Sequence, residues 1–250
     1  MDLGIEGRVA LVLGASRGIG RGIAGALARE GAKVAISSRS VESLEQAASE
    51  LEGELRAFPA DTGDLERMAE LPGEVEKELG PVEILVTNTG GPPGGGALDN
   101  SQEEWEQAFQ TLVLAPRVLM DAVVPGMRER GWGRIVNVSS ISIREPIPHL
   151  ALSNANRLAA LGLFETLADE VAGDGITVNT VATGMFATDR LADPEGSLEG
   201  ARKAARERVP NKRLGTPEEY GDLVAFLSSE RSAHLTGAVI PLDGGMLRSV

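Results

Sequence analysis

RVALVLGASRGIG, Arg8 to Gly20, decides how the rest of the chain is read. Its first half is a short aliphatic run closed by a glycine, the pattern of a strand buried on both faces. Its second half places glycines at 14, 18 and 20, where an apolar-periodic stretch from Ile19 to Glu30 begins. The order is therefore strand, glycine turn, helix. Gly14 permits the tight turn. Gly18 and Gly20 let backbone and helix approach a ligand closely, and the helix N-terminus favours negative charge. The spacing is G-x-x-x-G-x-G, which differs from the commoner dinucleotide fingerprint G-x-G-x-x-G.

The same alternation continues outward. Further strands are predicted at Lys33–Arg39, Leu55–Asp61, Val82–Asn88, Gly133–Ser140, Gly175–Thr183 and Ala238–Gly245. Pro59 marks the end of the third. Helices are predicted at Val41–Leu51 with Ser40 as N-cap, Asp64–Leu79 with a bend near Pro72, and Gln102–Arg130 as one long region. Two more are predicted at Leu152–Ala172 and at Pro217–Ser228, the latter capped by Thr216 with Pro217 in its first turn. Gly184–Pro210 has mixed charge and weak periodicity and is read as a loop over the site, a substrate lid. Apolar strands each followed by a helix imply a parallel sheet covered on both faces. The fold class is α/β: a Rossmann-like doubly wound sheet of about seven strands, one domain over residues 1–250, with ligands expected at the carboxyl ends of the strands.

The net charge of −13 argues against nucleic acid and anionic membranes as partners. There is no Cys, so disulfides, thiolate nucleophiles and Cys-based metal sites are excluded. The two histidines, His149 and His234, lie far apart, and no metal site is expected. No uninterrupted apolar run has the length of a membrane span, and MDLGIEGR lacks the layout of a signal peptide, so a cytoplasmic location is expected.

The strand ends carry candidate ligand residues. Arg39 ends the second strand, where an acidic residue would grip the ribose 2′-hydroxyl of NAD. An Arg there suits a 2′-phosphate, with Arg17 beside it, so NADP(H) is expected over NAD(H). Asp61 ends the third strand and is placed to accept from an adenine amino group. Asn88 ends the fourth, beside Gly90.

Gly14-x-x-x-Gly18-x-Gly20, Asp61, Asn88-Thr89-Gly90, IVNVSS and the tail RLGTPEE…TGAVIPLDGG together resemble the short-chain dehydrogenase/reductase family, most of all its 3-oxoacyl-(acyl carrier protein) reductase branch. The resemblance spans nearly the whole chain. It implies an NAD(P)(H)-dependent cytoplasmic oxidoreductase acting on a small carbonyl or alcohol substrate, as a homotetramer or homodimer. It also implies that Gly14, Ser16, Arg17, Ile19, Arg39, Asp61, Asn88, Gly90 and Thr188 hold the cofactor.

The chemical end departs from the family's Asn, Ser, Tyr and Lys. Matching Trp105 to the family's W-x6-N pattern puts Leu112 at the Asn position. Ser140 matches the Ser. Ser153 stands at the Tyr position and Arg157 at the Lys position. A phenol titrates near 10 and a neighbouring cation pulls it down. A serine hydroxyl has no comparable acidity and is shorter. Arg157 keeps the charge but cannot titrate near neutrality. The one tyrosine, Tyr220, is expected to sit away from the cleft. His149, in the loop ahead of Ser153, is the candidate replacement acid. Ser140, Ser153, Arg157 and His149 are thus the candidate catalytic residues. The competing reading is a nucleotide-binding regulatory or structural protein that has lost catalysis; a lyase or isomerase on the same fold is a third.

Overall fold

A computed structural model describes residues 1–188 and 197–249. Seven strands form one parallel sheet in the order β3-β2-β1-β4-β5-β6-β7. They are β1 Val9–Leu13, β2 Lys33–Ser37, β3 Glu54–Ala57, β4 Ile84–Thr87, β5 Gly133–Val138, β6 Ile176–Thr183 and β7 Val239–Leu242. The helices are α1 Gly18–Arg29, α2 Val41–Glu50, α3 Leu65–Leu79, α4 Gln102–Phe109, α5 Ala115–Arg130, α6 Ala151–Val171, α7 Leu198–Arg208 and α8 Pro217–Leu227. The order reverses between β1 and β4, which opens a crevice at their carboxyl ends.

Every residue of β1, β4 and β5 is buried, as expected for central parallel strands. The edge strands differ: β3 alternates, and β7 exposes Pro241, a residue that an edge tolerates. Two apolar layers cover the sheet. Leu11, Leu85, Ile135 and Phe164 belong to one, with α3, α5 and α6. Val12, Ile36, Val86 and Leu27 belong to the other, with α1 and α8. A polar rung crosses the middle of the sheet. Thr87 Oγ1 donates to Asn137 Oδ1, and Asn137 Nδ2 donates to Thr180 Oγ1, each at 3.4 Å.

Ser40, Asp64, Ser101 and Thr216 cap their helices, and Ser101–Glu104 and Thr216–Glu219 form full capping boxes. Helices α1 and α8 cross at glycines. A Cβ on Gly22 or on Gly221 would strike the other helix's backbone.

Three expectations are corrected. The third strand ends at Ala57, short of Asp61, although Phe58 and Ala60 still donate to Ile36 and Ser38 of the neighbouring segment. Gln102–Arg130 is two α-helices joined by a π turn at Gln110–Leu114. By length and composition this span would suit a membrane, but half of its most apolar window is buried and α5 packs on α3, the setting of a core helix. Finally, Gly184–Pro210 is not simply a loop. It contains helix α7, whose buried face is alanine: Ala201, Ala204 and Ala205. Residues 189–196 of the expected lid lie outside the described residues.

Candidate active site

The nucleotide end is assembled where β1, β2 and β4 stop. Gly14 leaves β1 at φ 60° and Gly18 starts α1 at φ 56°, both in the left-handed region that glycine adopts freely. Asn88 Nδ2 donates to the Gly14 carbonyl at 3.3 Å. A Cβ on Gly14 or Gly20 would collide with that arrangement. Thr188 covers Gly18, its Cγ2 at 3.2 Å from where a Cβ would be. Ala15 N–H donates to Ser37 O at 3.1 Å, tying the turn to the end of β2. Ser16 and Ile19 are half-buried in this turn, and Arg17 is its exposed N-cap residue.

Arg39 follows β2 and is exposed. Beside it Ser38 Oγ is buried and has no partner among the described residues. A buried hydroxyl next to an exposed guanidinium suits an anionic group. Asp61 is exposed and its Oδ1 accepts from Gly63 N–H at 2.9 Å. Gly90 is open, with nothing within 4 Å of a Cβ there. The residues fit a phosphorylated dinucleotide: a left-handed glycine turn at a helix N-terminus, a cation at the end of β2 and an amide under the first glycine.

The chemical end is organised around α6. Ser140 caps the turn Ile141–Ile143, its Oγ accepting from Ser142 N–H at 3.1 Å. Ser153, 5% exposed, lies in the first turn of α6. Arg157 Nε donates to Ser153 Oγ at 3.2 Å, and Arg157 NH1 donates to Val138 O at 3.0 Å. One guanidinium thus joins the start of α6 to the end of β5, just ahead of Ser140. Leu112, at the family's Asn position, is 4% exposed and lies in the core within the π turn.

His149 is placed differently. It is exposed and sits at φ 60°, a strained conformation for a residue with a side chain. Its carbonyl accepts from Gly95 N–H at 2.7 Å, and Ala151 N–H donates back to Gly95 O at 3.1 Å. This zips the GGPPGGG loop to the entry of α6. Asn154 clasps Ile147 through both its N–H and its carbonyl. The cavity that His149 lines, about 260 Å³, is bordered by Gly95–Ala97, Pro146–Pro148 and Asn154. Ser140, Ser153 and Arg157 are not among its walls. The structure therefore joins Ser153 directly to Arg157, anchors Arg157 at Val138 two residues ahead of Ser140, and places His149 at a cavity whose walls include none of the three. Asn156, also in this stretch, donates to Leu152 O within the helix.

Two further features escaped the sequence reading. Tyr220 is not remote from the site's elements. It is fully buried, and its hydroxyl lies 2.9 Å from Thr183 Oγ1 at the carboxyl end of β6. Burial pushes its phenol well above the ordinary value, with the Thr183 bond and the charge of Arg157 opposing weakly. Phe186 stacks edge-on against it with ring centroids 5.1 Å apart. The second feature is Glu145. It accepts backbone N–H bonds from Arg248 and Ser249, each 2.8 Å, which hold its carboxyl below the usual range. Both pairs link residues far apart in the chain, so neither leaves a local signal.

Comparison with known proteins supports the fold-level reading. The family model described as Enoyl-(Acyl carrier protein) reductase matches residues 14–247. Dehydrogenase/reductase SDR family member 4 of Homo sapiens is 36% identical over 247 residues, covering 96% of this chain and 88% of the relative. The 3-oxoacyl-(acyl carrier protein) reductase of Vibrio cholerae is 36% identical over 244 residues, covering 98% and 99%. L-sorbose reductase of Gluconobacter frateurii, solved with NADPH and L-sorbose, superposes over 100% of both chains with a TM-score of 0.95 at 32% identity. With the sheet order, the glycine turn and matches across nearly its full length, this chain belongs to the short-chain dehydrogenase/reductase family.

Proposed function

We propose that this protein binds NADP(H) and is an oxidoreductase for a small carbonyl or alcohol substrate, related to the 3-oxoacyl-(acyl carrier protein) reductases. The observation that carries it is the pairing of a left-handed glycine turn with Arg39 and the Ser38 hydroxyl, unpartnered among the described residues, at the end of β2. The NADPH complex of L-sorbose reductase supports the same cofactor class. Gly14, Ser16, Arg17, Gly18, Ile19 and Gly20 cradle the phosphates. Asp61, Asn88 and Gly90 line the adenosine side, and Thr188 covers the turn. The cofactor supplies or accepts the hydride.

The chain's own groups then orient the substrate. Ser140 and Ser153 offer hydroxyl donors to its oxygen, and Arg157 adds a permanent positive charge that favours a developing oxyanion. None is a good acid near neutrality. General acid help, worth about 10²–10⁴ in rate elsewhere, comes from His149 or from the substrate itself. Residues 184–210 serve as the substrate lid. The exposed Phe109 and Leu158 on α4 and α6 support a homotetramer or homodimer with those helices as contacts.

The test is a fluorescence titration with NADPH and NADH, followed by a screen of ketones, aldehydes and acyl thioesters for cofactor oxidation. Tighter NADPH binding with turnover is the expected result, and His149→Ala slows it if the histidine is the acid. Failure to bind either nucleotide overturns the reading. Binding without turnover, restored by combining Ser153→Tyr, Arg157→Lys and Leu112→Asn, establishes instead the lapsed, nucleotide-binding alternative. The Arg157–Ser153 bond, which occupies the family's phenol and amine positions with a structural contact, favours that second reading.

A further inference from the structure

The C-terminal tail, Asp243 to Ser249, touches both the segment that carries α7 and the loop after Ser140. At its start, Gly184 packs directly on Asp243, and Asn211 N–H donates to Gly244 O at 3.2 Å. The tail thus meets the segment that carries α7 at both its beginning and its end. Asp243 then shapes the tail internally, its two carboxylate oxygens accepting from Gly245 N–H at 2.8 Å and Leu247 N–H at 2.7 Å. Met246 packs against two apolar clusters at once. One holds Ala201 and Ala205 of α7, and the other holds Ile141 and Ile143 of the loop after Ser140. At the far end Glu145, in that same loop, accepts from both Arg248 and Ser249.

A single carboxylate therefore fastens the end of a strap whose middle is the shared neighbour of α7 and the Ser140 loop. Ala201 and Ala205 of helix α7 pack in one cluster with Val209, Leu214, Met185, Ala187 and Met246, so the helix rests on the tail as well as on its own flanking segments. Its own buried side chains are alanines, which bury little apolar surface each. We propose that Glu145 is a positioning residue for α7, acting through the C-terminal tail, so that the helix and the Ser140 loop are held at a fixed separation. This rests on the reading of residues 184–210 as the substrate lid only for its consequence, not for its geometry.

Hydrogen exchange on the full chain tests it without needing turnover or an identified substrate. In Glu145→Ala, amides of α7 are expected to exchange about tenfold faster or more, while those of β1, β4 and β5 are unchanged. Glu145→Gln keeps an acceptor oxygen and is expected to restore most of the protection. Ending the chain at Gly245 is expected to reproduce the alanine variant. Unchanged α7 exchange in the alanine variant overturns the proposal whatever the shortened chain shows, and so does faster exchange spread equally over the core strands. A failure of NADPH binding in the wild-type protein bears on the proposed function alone.

Discussion

Arg157 donates from Nε to Ser153 Oγ and from NH1 to the Val138 carbonyl, so one side chain spans the start of α6 and the end of β5. Arg157→Met removes both bonds and is expected to cost about 1–3 kcal/mol in urea unfolding. Arg157→Lys keeps the charge without the planar fork and is expected to fall between. Equal stability of all three proteins would falsify a tying role and leave Arg157 purely to ligand binding.

Tyr220 is the chain's only tyrosine, so its titration can be followed by phenolate absorbance without overlap from another phenol. Its phenol is raised above the ordinary 10.0. A raised value in the folded state gives stability that is fully present below about pH 10 and is lost as pH climbs past it. Phenolate absorbance is therefore expected to appear only together with alkaline unfolding. Tyr220→Phe should lose about 0.5–1.5 kcal/mol at neutral pH and unfold at a higher pH than the parent. Ionisation of Tyr220 in a still-folded protein contradicts this.

Glu219 behaves in the opposite sense. The Arg213 fork and the Thr216 N–H lower its carboxyl from 4.5 to about 2. Its contribution is therefore present above about pH 4.5 and is lost as pH falls toward 2. Glu219→Gln should flatten the decline of the urea midpoint across that window. A variant whose decline matches the parent's would show that the pair is screened by solvent.

The crossing of α1 and α8 predicts a contrast between two glycines. A Cβ on Gly221 would lie 2.8 Å from Ala26 Cβ and closer still to the Gly22 carbonyl. Gly221→Ala is expected to cost about 1–3 kcal/mol or more. Gly162, inside α6, has nothing within 4 Å of a Cβ. Gly162→Ala should raise stability by about 0.5–1 kcal/mol through helix propensity. Urea melts of the two variants decide it.

Leu158 projects from α6 with 53% of its surface exposed. If α6 is a subunit contact, Leu158→Glu should shift sedimentation toward the monomer while circular dichroism stays unchanged. An unaltered sedimentation coefficient takes this face of α6 out of the contact.

The central strands were legible because parallel strands buried on both faces are mostly apolar, here interrupted by hydrogen-bonded polar residues such as Thr87 and Asn137. Most helix ends were legible because the caps Ser40, Asp64 and Thr216 are local chemistry. Helix α7 was not, since a charge-rich stretch whose buried face is only alanine reads as a solvated segment. The π turn at Gln110–Leu114 alters hydrogen bonding by one residue without changing composition, and so it also passed unseen. In the site, the strand-end residues could be placed from topology alone. The backbone of His149 is held by the Gly95 zipper, which joins segments that nothing in either sequence links.

The crowding beneath Gly14 and Gly20 has a bearing on how such a chain tolerates change. Their Cβ positions are blocked by Asn88 and by the Gly14 carbonyl, both parts of the protein itself. Substitution there harms folding whether or not a nucleotide ever binds. A descendant that had abandoned its cofactor would still carry the glycine turn intact. Arg39 is under no such constraint, being exposed and without a hydrogen bond or ion pair among the described residues. Its fate under random mutagenesis, selected once for folding and once for nucleotide capture, separates what the fold demands from what the ligand demands.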